Sequence, residues 1–138
     1  MSETTLVNGL IAEMADPKTI LVVDDERDLL ELISLVLRQE GYQVKKASDG
    51  RVALEAVERS MPDLILLDMK MPVVDGWRFA SEFHARHGFR VPIIVLTASE
   101  DARASAAEVG ASGWLGKPFD LDLLIDTVRR FIGSPWAN

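Results

Sequence analysis

Five side chains in this sequence could do chemistry together: Asp24, Asp25, Asp68, Thr97 and Lys117. Asp24, Asp68 and Thr97 each follow or end a short apolar run. Ile20-Leu21-Val22-Val23 precedes the acidic pair, Leu64-Ile65-Leu66-Leu67 precedes Asp68, and Ile93-Ile94-Val95-Leu96 precedes Thr97. In an open α/β sheet, ligands bind beyond the carboxyl ends of the strands, where strand order reverses. Three carboxylates converging there form a hard oxygen site for a divalent cation. A lysine and a hydroxyl beside them suit a phosphoryl group. The chemistry this implies is a phosphoryl-accepting aspartate with its metal.

The elements that must position these groups are legible from periodicity. From residue 18 onward, strand and helix alternate five times, with strands predicted at 20–23, 43–47, 64–67, 93–97 and 114–116. Leu29, Leu30, Ile33, Val36 and Leu37 form the apolar stripe of a first helix, and Gly41 stands where a helix end favours positive φ. A second helix starts near Ser48 or Asp49, carries Ala53, Leu54 and Val57, and is stopped by Pro62. The third is predicted over about 75–87, ending before Gly88, and an alanine-rich fourth over about 100–109, closed by Gly110. The fifth uses Leu121, Leu124, Ile125, Val128 and Phe131, with Asp120 as its candidate N-cap. Strands alternating with helices of this length predict an α/β fold, a five-stranded parallel sheet covered on both faces.

Composition excludes several other kinds of chemistry. A net charge of −7 argues against broad attraction to nucleic acid or anionic membrane. The absence of cysteine removes disulfides, thiolate metal sites and thiol catalysis. No apolar run approaches the roughly 20 residues needed to span a bilayer, and the N-terminus lacks the basic region of a signal peptide. A cytoplasmic location is expected.

The order and spacing of these pieces resemble the receiver domain of two-component response regulators. The resemblance rests on Ile-Leu-Val-Val-Asp24-Asp25-Glu26, Pro62-Asp63-Leu-Ile-Leu-Leu-Asp68-Met-Lys-Met-Pro72 with Asp75-Gly76, Ile-Ile-Val-Leu-Thr97-Ala98, and Lys117-Pro118-Phe119. It covers about residues 18–132. It implies a doubly wound, flavodoxin-like (βα)5 fold with strand order 2-1-3-4-5. Asp68 is then the phosphoacceptor, taking its phosphoryl group from a phosphohistidine of a histidine kinase or histidine phosphotransfer protein. Asp25 and Asp68 would ligate Mg²⁺ (Mn²⁺ as a substitute) directly, Asp24 through water, and the Lys70 carbonyl would supply a further oxygen. Lys117 would reach the phosphoryl oxygens, followed by a cis peptide to Pro118, and Thr97 would donate its hydroxyl.

The resemblance also implies a switch, in which Thr97 moves toward the phosphoryl group and an aromatic three residues before the lysine turns inward. That aromatic is Trp114, which could instead lie on the outer face of the last strand. Lys70 and Ser99 are expected to tune phosphoryl lifetime; Lys70 could shield the phosphoryl oxygens or point to solvent.

The expected role is a phosphorylation-dependent signalling switch, not an enzyme toward other substrates. It would signal to a protein partner through the fourth helix, fifth strand and fifth helix, without direct nucleic-acid contact, as a monomer or a phosphorylation-dependent dimer. After Phe131 few residues remain, so a stand-alone receiver is expected. A phosphate sink is the nearest alternative. An aspartate-nucleophile phosphatase would want an acid where Lys70 stands, and a flavin-mononucleotide binder a hydroxyl-rich loop where Asp24-Asp25-Glu26 stands. Residues 1–17 are expected to form an extension, frayed or a short docking helix, and 133–138 a tail.

Overall fold

The structure, a computed structural model, describes residues 16–136. Five strands, β1 (Thr19–Val23), β2 (Gln43–Ala47), β3 (Leu64–Asp68), β4 (Ile93–Ala98) and β5 (Gly113–Lys117), alternate with five helices. The helices are α1 (Arg27–Gln39), α2 (Gly50–Arg59), α3 (Gly76–His87), α4 (Ser99–Val109) and α5 (Leu121–Ile132). All strand pairs are parallel, in the order β2-β1-β3-β4-β5. The parallel sheet covered on both faces is the one expected from the alternating pattern, and its doubly wound strand order is the one the resemblance implies.

Burial explains why each strand reads as it does. The central β3, Leu-Ile-Leu-Leu-Asp, is buried at every position, whereas edge strand β2, Gln-Val-Lys-Lys-Ala, is mostly accessible. Alternate side chains of the central strands feed two cores. Leu21, Val23, Ile65, Leu67 and Val95 pack with Phe79 and Phe83 on one face; Ile20, Val22, Leu64, Leu66 and Leu96 pack with Ile33, Leu37, Leu124 and Val128 on the other. A run of apolar residues with no polar alternation is what a sheet covered on both faces requires.

Two helix starts are set by side-chain caps, whereas Asp120 stands at the N-cap of α5 without a side-chain cap bond. Asp49 accepts from the Val52 N–H and Asp75 from the Arg78 N–H, each at 2.9 Å, which fixes the starts of α2 and α3. Gly110 closes α4 in the left-handed region (φ 68°), a conformation glycine adopts without a Cβ penalty. The helix α4 is unlike the others, burying only the small side chains Ala102, Ser105 and Ala106.

Most of the expectation for residues 1–17 lies outside the described residues. The segment expected as a tail folds back as far as it is described. The Lys18 N–H donates to the Pro135 carbonyl at 2.9 Å and the Tyr42 hydroxyl to the Gly133 carbonyl at 2.5 Å. Trp136 lies against Gly41, where an added Cβ would come within 2.9 Å of the indole.

Candidate functional site

The chain leaves β1 toward β2 on one side and reaches β3 on the other, so strand order reverses between β1 and β3. Their register pairs Val23 with Leu67. The next residues, Asp24 and Asp68, therefore emerge side by side at the carboxyl edge. Carboxylate oxygens of Asp24, Asp25 and Asp68 all lie within 4.8 Å of one another. Asp24 is fully buried, Asp68 nearly so, and Asp25 is exposed. Asp25, Asp68, Thr97, Lys117 and the Lys70 segment line one open cleft of about 640 Å³, floored by Ala98 and walled by Leu29, Leu32, Pro118 and Phe119.

Asp24 has both oxygens engaged. Oδ2 accepts from Lys117 Nζ at 2.8 Å, and Oδ1 accepts from the Glu26 N–H at 2.9 Å. Lys117, the last residue of β5, also stands 3.8 Å from Asp68 Oδ1 and 4.0 Å from Glu26 Oε2. Burial alone would lower the lysine pKa; the bond to Asp24 and the charges of Asp24, Asp68 and Glu26 reverse that and raise it, so the ammonium is held. The peptide bond to Pro118 is cis, as the resemblance implies.

Asp68 is the group whose protonation is poised. Burial, then the charge of Asp24, push its carboxyl up to about 7, against the opposing pull of Lys117 and of the Lys70 N–H, 3.3 Å from Oδ1. With its three carboxylates ionised and one ammonium, the cluster carries a formal charge of −2. That donor set, all oxygen and two positive charges short of balance, fits Mg²⁺.

Among solved structures the chain is similar to chemotaxis protein CheY4 of Vibrio cholerae, with a TM-score of 0.76 and 33% identity over 84% of this chain and 99% of that one. It is also similar to the receiver domain of sensor histidine kinase PA1611 from Pseudomonas aeruginosa PAO1, which has a magnesium ion in its active-site cleft; the TM-score is 0.77 and identity 38% over 86% of this chain and 99% of that one. Residues 20–129 match the response regulator receiver domain family. The chain belongs to that family. Among curated relatives, this receiver is 36% identical to sporulation initiation phosphotransferase F of Bacillus subtilis over 82% of the chain and 92% of the relative. It is 37% identical to response regulator MprA of Mycolicibacterium vanbaalenii over 84% of the chain, but spans only 51% of that longer protein.

The remaining residues singled out in the sequence fall in different places. Thr97 ends its run buried beside Gly116 of β5 in register, at the back of the cleft. Trp114 faces outward, 48% exposed, with the Arg103 guanidinium 6.0 Å from its ring centroid. The Lys70 side chain turns away from Asp68 and pairs with Asp101 of α4 at 3.3 Å. The Ser99 hydroxyl donates to the Lys117 carbonyl at 3.0 Å, which ties the start of α4 to the end of β5.

Three residues of this receiver were given no role of their own in the sequence, Gly76 standing there only within the Asp75-Gly76 pair. A Cβ at Gly116 would sit 2.6 Å from Ser99 Cα, and one at Gly76 would sit 2.6 Å from Met69 Cα and 2.7 Å from the Asp68 carbonyl. Both glycines let backbone close over the site, a need that only tertiary contact reveals. The third is Asp101, whose partner lies 31 positions away. No helix among the described residues is long and apolar enough to cross a membrane.

Proposed function

We propose that the chain is a phosphorylation-controlled switch whose phosphoacceptor is Asp68. The observation that carries this reading is the meeting of Asp68 with two further aspartates within 4.8 Å and with the Lys117 ammonium at 3.8 Å. A nucleophilic carboxylate facing a fixed ammonium and a cation site is the arrangement that phosphoryl transfer needs, because that reaction depends on positioning and charge neutralisation.

An oxygen of Asp68 attacks phosphorus of a phosphohistidine; the new O–P bond forms as the P–N bond breaks, and the ring nitrogen leaves with the electron pair. Asp25, Asp68 and the Lys70 carbonyl would hold Mg²⁺, with Asp24 acting through water, and the cation would supply the charge that keeps Asp68 ionised and offsets the transferring group. Asp24 suits the indirect role because its two oxygens already serve Lys117 and Glu26. Lys117 follows the phosphoryl oxygens as a mobile point charge. Thr97 donates its hydroxyl to them once it shifts, and the space it leaves admits Trp114 from the outer face. A two-state element biased by a new charge then alters the surface formed by α4, β5 and α5.

The donor in this reading is a histidine kinase or histidine phosphotransfer protein, and the target is a protein docking on the altered face. Residues 18–132 form the receiver unit in the cytoplasm. Intact mass after incubation with Mg²⁺ and acetyl phosphate tests the chemistry. A single phosphoryl gain is expected in wild type and none in Asp68→Asn or with EDTA. Failure to gain, both from acetyl phosphate and from a phosphorylated histidine protein, would overturn the reading.

A further inference from the structure

The helix α4 packs against β4, β5 and α3, and among its polar contacts one carboxylate stands out. Its buried side chains are all small, so apolar packing holds it weakly. Side-chain tethers do the rest: Lys70 to Asp101, Trp77 Nε1 to Glu108 at 2.8 Å, and Arg103 over Trp114. The first begins beside the phosphoacceptor; the Ser99 hydroxyl bond to the Lys117 carbonyl is a second tether at the site, but it holds backbone and restrains no charged group. Lys70 lies two residues past Asp68, and its N–H points at Asp68 Oδ1 while its ammonium is drawn off to α4.

We infer that Asp101 is a positioning residue for phosphoryl lifetime, holding Lys70 aside so that water can reach the phosphorylated Asp68. This rests on the phosphoacceptor reading above. Hydrolysis adds a water oxygen to phosphorus as the Asp68 O–P bond breaks. Asp68 recovers the electron pair as a carboxylate, and the group leaves as inorganic phosphate with the water's hydroxyl, the second proton passing to solvent. An ammonium laid across the phosphoryl oxygens obstructs that approach. The Lys70–Asp101 pair is exposed on both sides (66% and 46%), which makes it a restraint that can be redistributed rather than a fixed strut. A phosphoryl dianion competes for the same ammonium with charge-assisted bonds of its own. Lys70 therefore divides its time between α4 and the phosphoryl group, and Asp101 sets the division.

An exposed pair of this kind shifts such a division by about 1.5- to 5-fold. The test measures the half-life of the phosphorylated chain, after removal of acetyl phosphate, in wild type, Asp101→Asn, Asp101→Glu, Lys70→Met and the double variant Asp101→Asn with Lys70→Met. Asp101→Asn is expected to lengthen the half-life about two- to fivefold, and Asp101→Glu to restore it toward wild type. In the Lys70→Met background the same Asp101→Asn change is expected to do nothing, which separates positioning from any direct action of the Asp101 carboxylate on water. Normal phosphoryl loading with equal half-lives in wild type and Asp101→Asn overturns the inference alone. An Asp101→Asn effect that persists without Lys70 also overturns it. No loading in any variant, either from acetyl phosphate or from a phosphorylated histidine protein, removes the phosphoacceptor reading and this inference with it.

Discussion

Replacing Asp68 by asparagine should stabilise the metal-free protein at neutral pH and leave it unchanged in acid. At an effective dielectric near 20, Asp24 within 4.8 Å repels an ionised Asp68 by at least about 3.5 kcal/mol, and Lys117 at 3.8 Å attracts it by about 4.4 kcal/mol. The two nearly offset, so burial decides the outcome and the carboxyl holds its proton up to about 7. In the unfolded chain an aspartate titrates near about 3.9. The folded protein thus binds this proton more tightly than the unfolded one. Its stabilising contribution is complete below about pH 3.9 and is lost as pH rises through about 7.

The full displacement corresponds to about 4 kcal/mol. Water at the open mouth of the cleft screens part of it, and about 2 kcal/mol is the expected loss. Urea unfolding in EDTA from pH 4 to pH 8 measures it as the difference between wild type and Asp68→Asn. That difference cancels titrations the two proteins share. The curves should coincide near pH 4 and separate by about 2 kcal/mol above pH 7, asparagine being the more stable. Saturating Mg²⁺ should reverse the order, because a cation that binds only the folded protein stabilises it by mass action. Parallel curves across the whole range in EDTA would refute the claim that Asp68 is held protonated by its burial.

Three other perturbations test separate parts of the site. Lys117→Met leaves the fully buried Asp24 without its counter-charge and is expected to cost about 2–3 kcal/mol in urea unfolding at pH 7; an unchanged midpoint would mean that the ion pair contributes nothing. Gly116→Ala places a methyl 2.6 Å from Ser99 Cα. With backbone on both sides of that contact, a loss of about 1–3 kcal/mol is expected, and wild-type stability would show that α4 can move away freely. In a chain with Trp77 and Trp136 changed to phenylalanine, acrylamide quenching reports on Trp114 alone. Addition of beryllofluoride with Mg²⁺ should reduce that quenching from the level set by its 48% exposure, and no change would remove Trp114 from the switch.

The fold was readable because its signals are local and repeat. The apolar runs at 20–23, 64–67 and 93–96, each ending at a polar residue, could only be strands buried on both faces, and the observed bounds differ from those read by one residue or less at each end. Positive φ at Gly41 and Gly110 was equally local. The meeting of Asp24 with Asp68 was readable for another reason: two parallel strands in register deliver the residues that follow them to one place. What the sequence could not disclose depended on long reach through space. Nothing near Lys70 in the chain says that its ammonium turns toward Asp101 rather than toward Asp68 or solvent. Nothing near Gly116 says that the start of α4 lies on top of it.

Those two hidden contacts bear on the same element. The start of α4 sits against Gly116 and bonds to the Lys117 carbonyl through Ser99, while Asp101 in the same turn reaches back to Lys70. The first turn of α4 is thereby joined to the residues just after Asp68 and to the lysine that faces it. A helix anchored by Ala102, Ser105 and Ala106 has little apolar area resisting displacement. A change of charge at Asp68 acts on Lys70 and Lys117 together, and both are tied to this turn. The weak core of α4 follows from its alanine-rich sequence, and under the proposed function it is the property that would let a chemical event at Asp68 be felt at the surface.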